Sequence, residues 1–255
     1  MTWKAIGQSI IGTSHTASGK TCEDAVNYCI LTGNDGSEVL VCCVADGAGS
    51  ALHAQWASAY VTDKVVDFVG AQFKHNEDLT EALIYAMAED IYYGLQQQAG
   101  DHDTELNEYS CTLLGCIVTT GKAAFFQVGD GAIVRNDGSD FYTPVWWPHN
   151  GEYQNTTSFL VDDSSFSNFN VIIIDEQVNE IAIFTDGLQM LTLSMESQTV
   201  HQPFFNDLFR FLRQAKGAGQ VNILNKQLAE FLNSPNINAR TDDDKTLFLA
   251  TRLSS

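Results

Sequence analysis

Basic residues are scarce in this chain. Only 13 Lys and Arg stand against 32 Asp and Glu over 255 residues, a formal charge of −19. Such a surface repels nucleic acid and anionic membranes, so neither is an expected partner. Long apolar runs are missing too. Met1 to Gly12 holds a single Lys and no apolar stretch of signal-peptide length. Nothing approaches the about 20 apolar residues that a membrane helix requires. A soluble, cytoplasmic protein is expected. The six cysteines, Cys22, Cys29, Cys42, Cys43, Cys111 and Cys116, form no CxxC pair. They are read as reduced, mostly buried thiols. There is no repeat and no low-complexity linker.

What is present is enough apolar material for a sizeable core, 44% of the chain. Residues 1–255 are read as one domain. Val39 to Ala45 (VLVCCVA) is an apolar run ending in Asp46-Gly47, a buried strand entering a turn. A helix is expected over Ala51 to Val69 with Ser50 as its N-cap. A second is expected from Leu79 to about Gln97, opened by a capping box of Asp78 and Glu81. Thr112 to Val118, Ala123 to Val128 and Ala132 to Arg135 read as strands joined by tight turns, an antiparallel meander. The uneven text of 141–170 reads as a surface flap. Val171 to Ile174, Ile181 to Thr185 and Thr246 to Thr251 are further strands. Pro203 to Gln214 and Val221 to Leu232 are helical, separated by Gly217-Ala218-Gly219. Strands and helices are grouped, which predicts an α+β fold. Two packed antiparallel sheets flanked by helix pairs, a four-layer αββα sandwich, would use every element.

One local pattern recurs. An apolar strand ends and an Asp stands at its tip: Asp46-Gly47, Asp186-Gly187 and, more loosely, Gly129-Asp130-Gly131. The inverse is Asp243, just before the last strand. Glu23-Asp24 precedes the strand Ala25 to Leu31. Each Asp-Gly alone is an ordinary turn signal. Together, carboxylates converging from sheet ends need a cation to neutralise them. Oxygen-only ligands select Mg²⁺ or Mn²⁺, and no His stands at zinc-ligand spacing.

The texts GKTCEDA, VCCVADGAGSA, SCTLLGCIV, FFQVGDGAIVR, IAIFTDGL and DDDKTLFLATR resemble, in order, the motifs of the metal-dependent (type 2C) serine/threonine protein phosphatases, from about residue 7 to 252. The resemblance implies two Mg²⁺ or Mn²⁺ ions and a weaker third. Asp46 would bridge the two metals and the Gly47 carbonyl would bind one. Asp186 and Asp243 would hold the other. Glu23 would reach its metal through water, with Asp24 beside it, and Asp130 would help form the third site. Asp243 is chosen because it lies three before Thr246, where the family has Asp-Asn-x-Thr or Ser, leaving Asp242 and Asp244 as bystanders. Catalysis is then expected to depend on Asp46, Asp186 and Asp243, with a metal-bridging hydroxide hydrolysing phosphoserine or phosphothreonine. The substrates would be phosphorylated proteins of a serine/threonine kinase, in signalling.

Two family features are absent. The arginine that many members place four residues before the Glu is Gly19 here, with Lys20 as a candidate phosphate contact. The His that some members place two after the metal Asp is Ala48 here. His15 and His53 are the nearest other histidines and read as structural or surface residues. Trp146 and Trp147 either line a substrate groove or pack the flap onto the sheet. The competing functional reading is a phosphatase-like regulatory binding module with little or no catalysis. A hydrolase of small phosphorylated metabolites would share the same site.

Overall fold

The computed structural model describes residues 2–33, 36–74, 78–136, 141–148, 157–162 and 165–253. The strands are β1 (Lys4–Ile10), β2 (Asp24–Thr32), β3 (Glu38–Asp46), β4 (Leu113–Val118), β5 (Ala123–Val128), β6 (Ala132–Asn136), β7 (Tyr142–Pro144), β8 (Asn170–Ile174), β9 (Glu180–Phe184), β10 (Leu193–Ser194), β11 (Thr199–Val200) and β12 (Lys245–Thr251). The helices are α1 (Thr13–Ser18), α2 (Ala54–Lys74), α3 (Glu81–Asp101), α4 (Ser165–Asn168), α5 (Gln189–Thr192), α6 (Gln202–Gln214), α7 (Gly217–Leu232) and α8 (Pro235–Asn238). Among the described residues they build two five-stranded sheets, β1-β12-β9-β6-β7 and β2-β3-β4-β5-β8. Neighbouring strands within them run antiparallel.

Alternation along the central strands explains the layers, because successive side chains leave a strand on opposite faces. On β3, Val39, Val41, Cys43 and Ala45 meet Ala57, Val61, Val65 and Val69 of α2 and the apolar stripe of α3. Leu40, Cys42 and Val44 face the other way and meet Ile183 of β9 and Phe248 of β12. On β12, Leu247 and Leu249 meet Phe205 and Phe209 of α6 and Leu228 and Leu232 of α7. Both strands are buried on two faces and therefore read as continuous apolar text. The result is the expected four-layer sandwich, α2/α3 over one sheet and α6/α7 over the other.

Several local expectations needed correction. The helix after β3 starts at Ala54, so Ser50 is not its cap. Glu108 draws the preceding turn outward, its carboxylate accepting from the Leu52 N–H (2.7 Å) and its carbonyl from the His53 N–H (2.8 Å). The second helix is capped by Thr80, whose hydroxyl accepts the Leu83 N–H, instead of by Asp78, and it runs on to Asp101. The meander is only half right. β4 and β5 pair, but β6 leaves for the other sheet and pairs with β9 and β7. Gly129-Asp130-Gly131 is thus a crossing between sheets. Gly217-Ala218-Gly219 lies in the first turn of α7; the break falls at Ala215 and Lys216, both extended.

The region expected as a flap is partly sheet. Tyr142 to Pro144 form β7. Trp146 packs against the core between the sheets and Trp147 against the α6/α7 core. Residues 149–156 and 163–164 of that region lie outside the described residues.

Candidate metal centre

Strand register explains how distant carboxylates meet. In one sheet Asp24 pairs with Asp46, so Glu23 and Asp24 stand beside the end of β3. Thr112 clamps that end from the far side. Its hydroxyl accepts the Asp46 N–H and its N–H donates to the Asp46 carbonyl, both at 2.8 Å. In the other sheet Phe184 pairs with both Leu247 and Ala132. Past that line stand Asp186, two residues beyond Phe184, Asp243, four before Leu247, and Asp130, two before Ala132. The two sheets are joined at this edge by hydrogen bonds. Thr185 and Thr246 each donate a hydroxyl hydrogen bond, 2.8 Å, to Asp24 Oδ2.

The electrostatics confirm the gathering. Burial pushes the Asp46 carboxyl well above the ordinary carboxylate range, and the charges of Asp24, Asp186, Asp243 and Asp130 push it further. Burial raises Asp186 to about 6, with Asp130 and Asp243 adding to it and a hydrogen bond with Asp46 opposing. Asp24 is raised to about 7, again by burial first, against the lowering effect of the Thr246 and Thr185 hydroxyls. Asp243 is also raised, mainly by burial. Five of the eight residues singled out in the sequence are therefore electrostatic neighbours.

The remaining three, Glu23, Gly47 and Lys20, fit the same edge. Gly47 donates its N–H to the Glu23 carbonyl at 3.1 Å. A Cβ there would stand 2.7 Å from the Ala54 carbonyl oxygen and 2.8 Å from that of Glu23, so only glycine fits. Lys20 reaches Glu23 directly, its Nζ 3.1 Å from Oε1, and also donates to the Gly49 carbonyl at 2.8 Å. Thr157 donates to the Asp130 carboxylate, and the Gln189 amide donates to the Asp130 carbonyl.

Among the described residues, no three His, Cys, Asp or Glu side chains are drawn into a shell tight enough to hold an ion. In kind, however, the residues fit a hard divalent cation. Every donor is an oxygen. Asp186 Oδ1 and Asp24 Oδ1 are buried with no hydrogen-bond partner, an arrangement a native protein avoids unless something else satisfies the atom.

Asp244 is not a bystander. It is 3% exposed and accepts hydrogen bonds from the Gly12 and Glu23 main chain and from His15. Nor is His15 a surface residue, since its ring lies between Asp244 and Glu23. His53 is structural, stacked on Tyr109. Asp242 is exposed. Cys22 is no nucleophile: burial, then Asp24 and Asp244, push its thiol far upward. Sequence reasoning also passed over Thr112, Thr185 and Thr246. Their adjacency to strand ends was the available signal.

Residues 11–233 match the family described as protein phosphatase 2C. Over 251 residues the chain is 33% identical to serine/threonine-protein phosphatase 3 of Escherichia coli (strain K12), covering 98% of each chain. Two solved structures share the fold. Serine/threonine phosphatase Stp1 from Staphylococcus aureus superposes with a TM-score of 0.59 at 18% identity, over 98% of this chain and 95% of that one. RsbX in complex with magnesium superposes with a TM-score of 0.56 at 16% identity, over 98% and 94%. Sequence and fold together define a protein serine/threonine phosphatase. More narrowly, the chain belongs to the protein phosphatase 2C family.

Proposed function

We propose that this chain is a Mg²⁺- or Mn²⁺-dependent hydrolase of phosphoserine and phosphothreonine in proteins, with a two-ion centre at the shared sheet edge. The observation that carries the reading is the unpartnered Asp186 Oδ1, buried beside Asp130 and Asp243, whose charges raise its carboxyl further. When the ions are bound, the chemistry supplied is a water of lowered pKa and the withdrawal of charge from the phosphoryl oxygens.

The chain's own residues do the rest. Asp46, Asp186 and Asp243 present carboxylate oxygens from three strand ends, and Asp130 adds a fourth from the crossing between sheets. Gly47 offers its carbonyl on a backbone that tolerates no side chain. Glu23 faces the site from the start of β2. Asp24 ties Thr185 and Thr246 together, fixing the chain on either side of Asp186 and Asp243. Lys20 is the proposed phosphate contact. It is partly exposed and held at the rim by Glu23 and Gly49, as a point charge without the fork of an arginine. The reading takes 1–255 as one catalytic domain, supported by the pairing of β1 with β12 from opposite ends of the chain. A kinase-opposing role in cytoplasmic signalling is part of the same proposal.

The test is phosphate release from p-nitrophenyl phosphate and from a phosphothreonine peptide. Activity should require millimolar Mn²⁺ or Mg²⁺, vanish in EDTA and vanish in Asp46→Asn. Activity that persists unchanged in EDTA would rule the metal reading out. A folded, Mn²⁺-binding protein inactive on every phosphopeptide would favour the regulatory module instead.

A further inference from the structure

Arg252 follows the last residue of β12 and is only 6% exposed. Its Nε donates to the Asn179 side-chain oxygen at 3.3 Å and its Nη1 to the Thr119 carbonyl at 3.2 Å. Both acceptors are neutral. Among the described residues no carboxylate pairs with it, in a chain that has 32 Asp and Glu. Its Nη2 is buried with no hydrogen-bond partner. Burial accordingly lowers the pKa of the guanidinium. Trp3 repeats the pattern. It is 5% exposed, and its indole N–H, which can only donate, also lacks a partner. The Arg252 guanidinium lies over the Trp3 ring, 5.0 Å from its centroid.

The two side chains line one cavity of about 330 Å³, with Thr120, Gln177 and Glu38 in the same wall. Glu38 opens β3, and Asp46 closes it eight residues on. At about 3.3 Å per residue the cavity stands about 26 Å from the sheet-edge carboxylates. It is a separate site and does not depend on how those carboxylates are read. Buried donors are seldom left unpaired in native proteins unless a ligand or a water takes them. A water satisfies a donor but brings no counter-charge to a buried cation, which is costly to leave uncompensated. A charged fork beside a second donor suits an anion with two or more acceptor oxygens, a carboxylate or a phosphate. Glu38 decides between them. Its carboxylate accepts the Trp3 main-chain N–H at 2.6 Å and sets a negative charge in the wall. A phosphate monoester, at about −1.5 to −2 near pH 7, is repelled by it more strongly than a single carboxylate.

We propose that this cavity binds a small monocarboxylate, whose oxygens accept from Arg252 Nη2 and Trp3 Nε1. The test is titration of the metal-stripped full chain at about pH 7.5, near-neutral so that the ligand is ionised, with sodium acetate and sodium lactate. Sodium phosphate, and sodium chloride at equal ionic strength, are the comparators. Calorimetry and tryptophan emission are read together. Wild type should bind both carboxylates saturably, with an emission change as the Trp3 N–H gains an acceptor. Arg252→Met deletes the charge and should weaken binding about 10–100-fold, the loss of a hydrogen bond to a charged group. Trp3→Phe keeps a ring and deletes one donor. It should weaken binding about 2–10-fold and abolish the emission change. Should Arg252→Met fail to fold, Trp3→Phe decides alone. A wild-type response no larger than that to chloride overturns the proposal. So does wild-type affinity in the folded variants, which would put the carboxylate elsewhere. Phosphate bound as tightly as acetate overturns the assignment to monocarboxylates.

Discussion

Asp46→Asn should stabilise the metal-free protein while destroying its response to metal. Asp46 is half-buried at the end of β3, and its carboxyl is raised by desolvation and by four other aspartates. The substitution keeps the shape and deletes one charge. A single carboxylate at about 8 Å, at an effective dielectric of about 20, repels it by about 2 kcal/mol. Relief of one or two such interactions, set against an imperfect hydrogen bond from the new amide, leaves a gain of about 1–2 kcal/mol. At about 2–4 °C per kcal/mol for a chain of this size, the EDTA melting point should rise by about 2–8 °C at pH 8. The sign depends on pH. A carboxyl held protonated by the folded state destabilises the fold wherever the unfolded chain has released that proton, above its ordinary value of 3.8. The gain should therefore be smaller at about pH 5 than at pH 8 and shrink further as pH falls toward that value. The assay is thermal melting in EDTA and in millimolar Mn²⁺, at both pH values. Wild type should gain stability with Mn²⁺ and the variant should not. A variant less stable than wild type in EDTA at pH 8, or one that responds to Mn²⁺ equally, refutes the electrostatic account.

Mn²⁺ affinity should rise with pH through the window set by Asp186 (about 6) and Asp24 (about 7), because protons and metal compete for the same oxygens. Over that window the metal-free protein should lose stability, since the folded chain holds protons the unfolded one has released; calorimetry at both ends, with equal affinities, would contradict this. Gly47→Ala forces a Cβ onto two carbonyl oxygens and should cost about 1–3 kcal/mol in urea unfolding, while an unchanged midpoint would show that the turn yields. Arg213→Ala removes the guanidinium that pairs with the fully buried Glu180, leaving Tyr142 and Thr251 to satisfy that carboxylate. A loss of about 3 kcal/mol is expected, and less than about 1 kcal/mol would mean that the Tyr142 and Thr251 hydroxyls suffice to hold the Glu180 carboxylate.

The layers were legible because β3 and β12 are apolar on both faces, a signature that only central strands carry. The aspartates were legible because each sits where such a strand stops. Helix starts were less so, since the Glu108 carboxylate that holds the turn before α2 lies 56 residues from its partner Leu52. The path of β6 was hidden for a similar reason: a short Gly-Asp-Gly turn suits a hairpin and a sheet crossing equally. Asp244 was missed because three consecutive aspartates look alike in one dimension. Only the register of β12 against β1, Ile10 opposite Lys245, brings one of them under Gly12 and Glu23.

The central claim is that the sheet-edge carboxylates are a metal centre. Direct Mn²⁺ titration of the metal-stripped protein at about pH 7.5, with protons released on binding counted in parallel, tests it most directly. The account predicts two saturable sites in the wild type, their loss or severe weakening in Asp46→Asn, and proton release on binding. Saturation without proton release, or no binding at all, would contradict it.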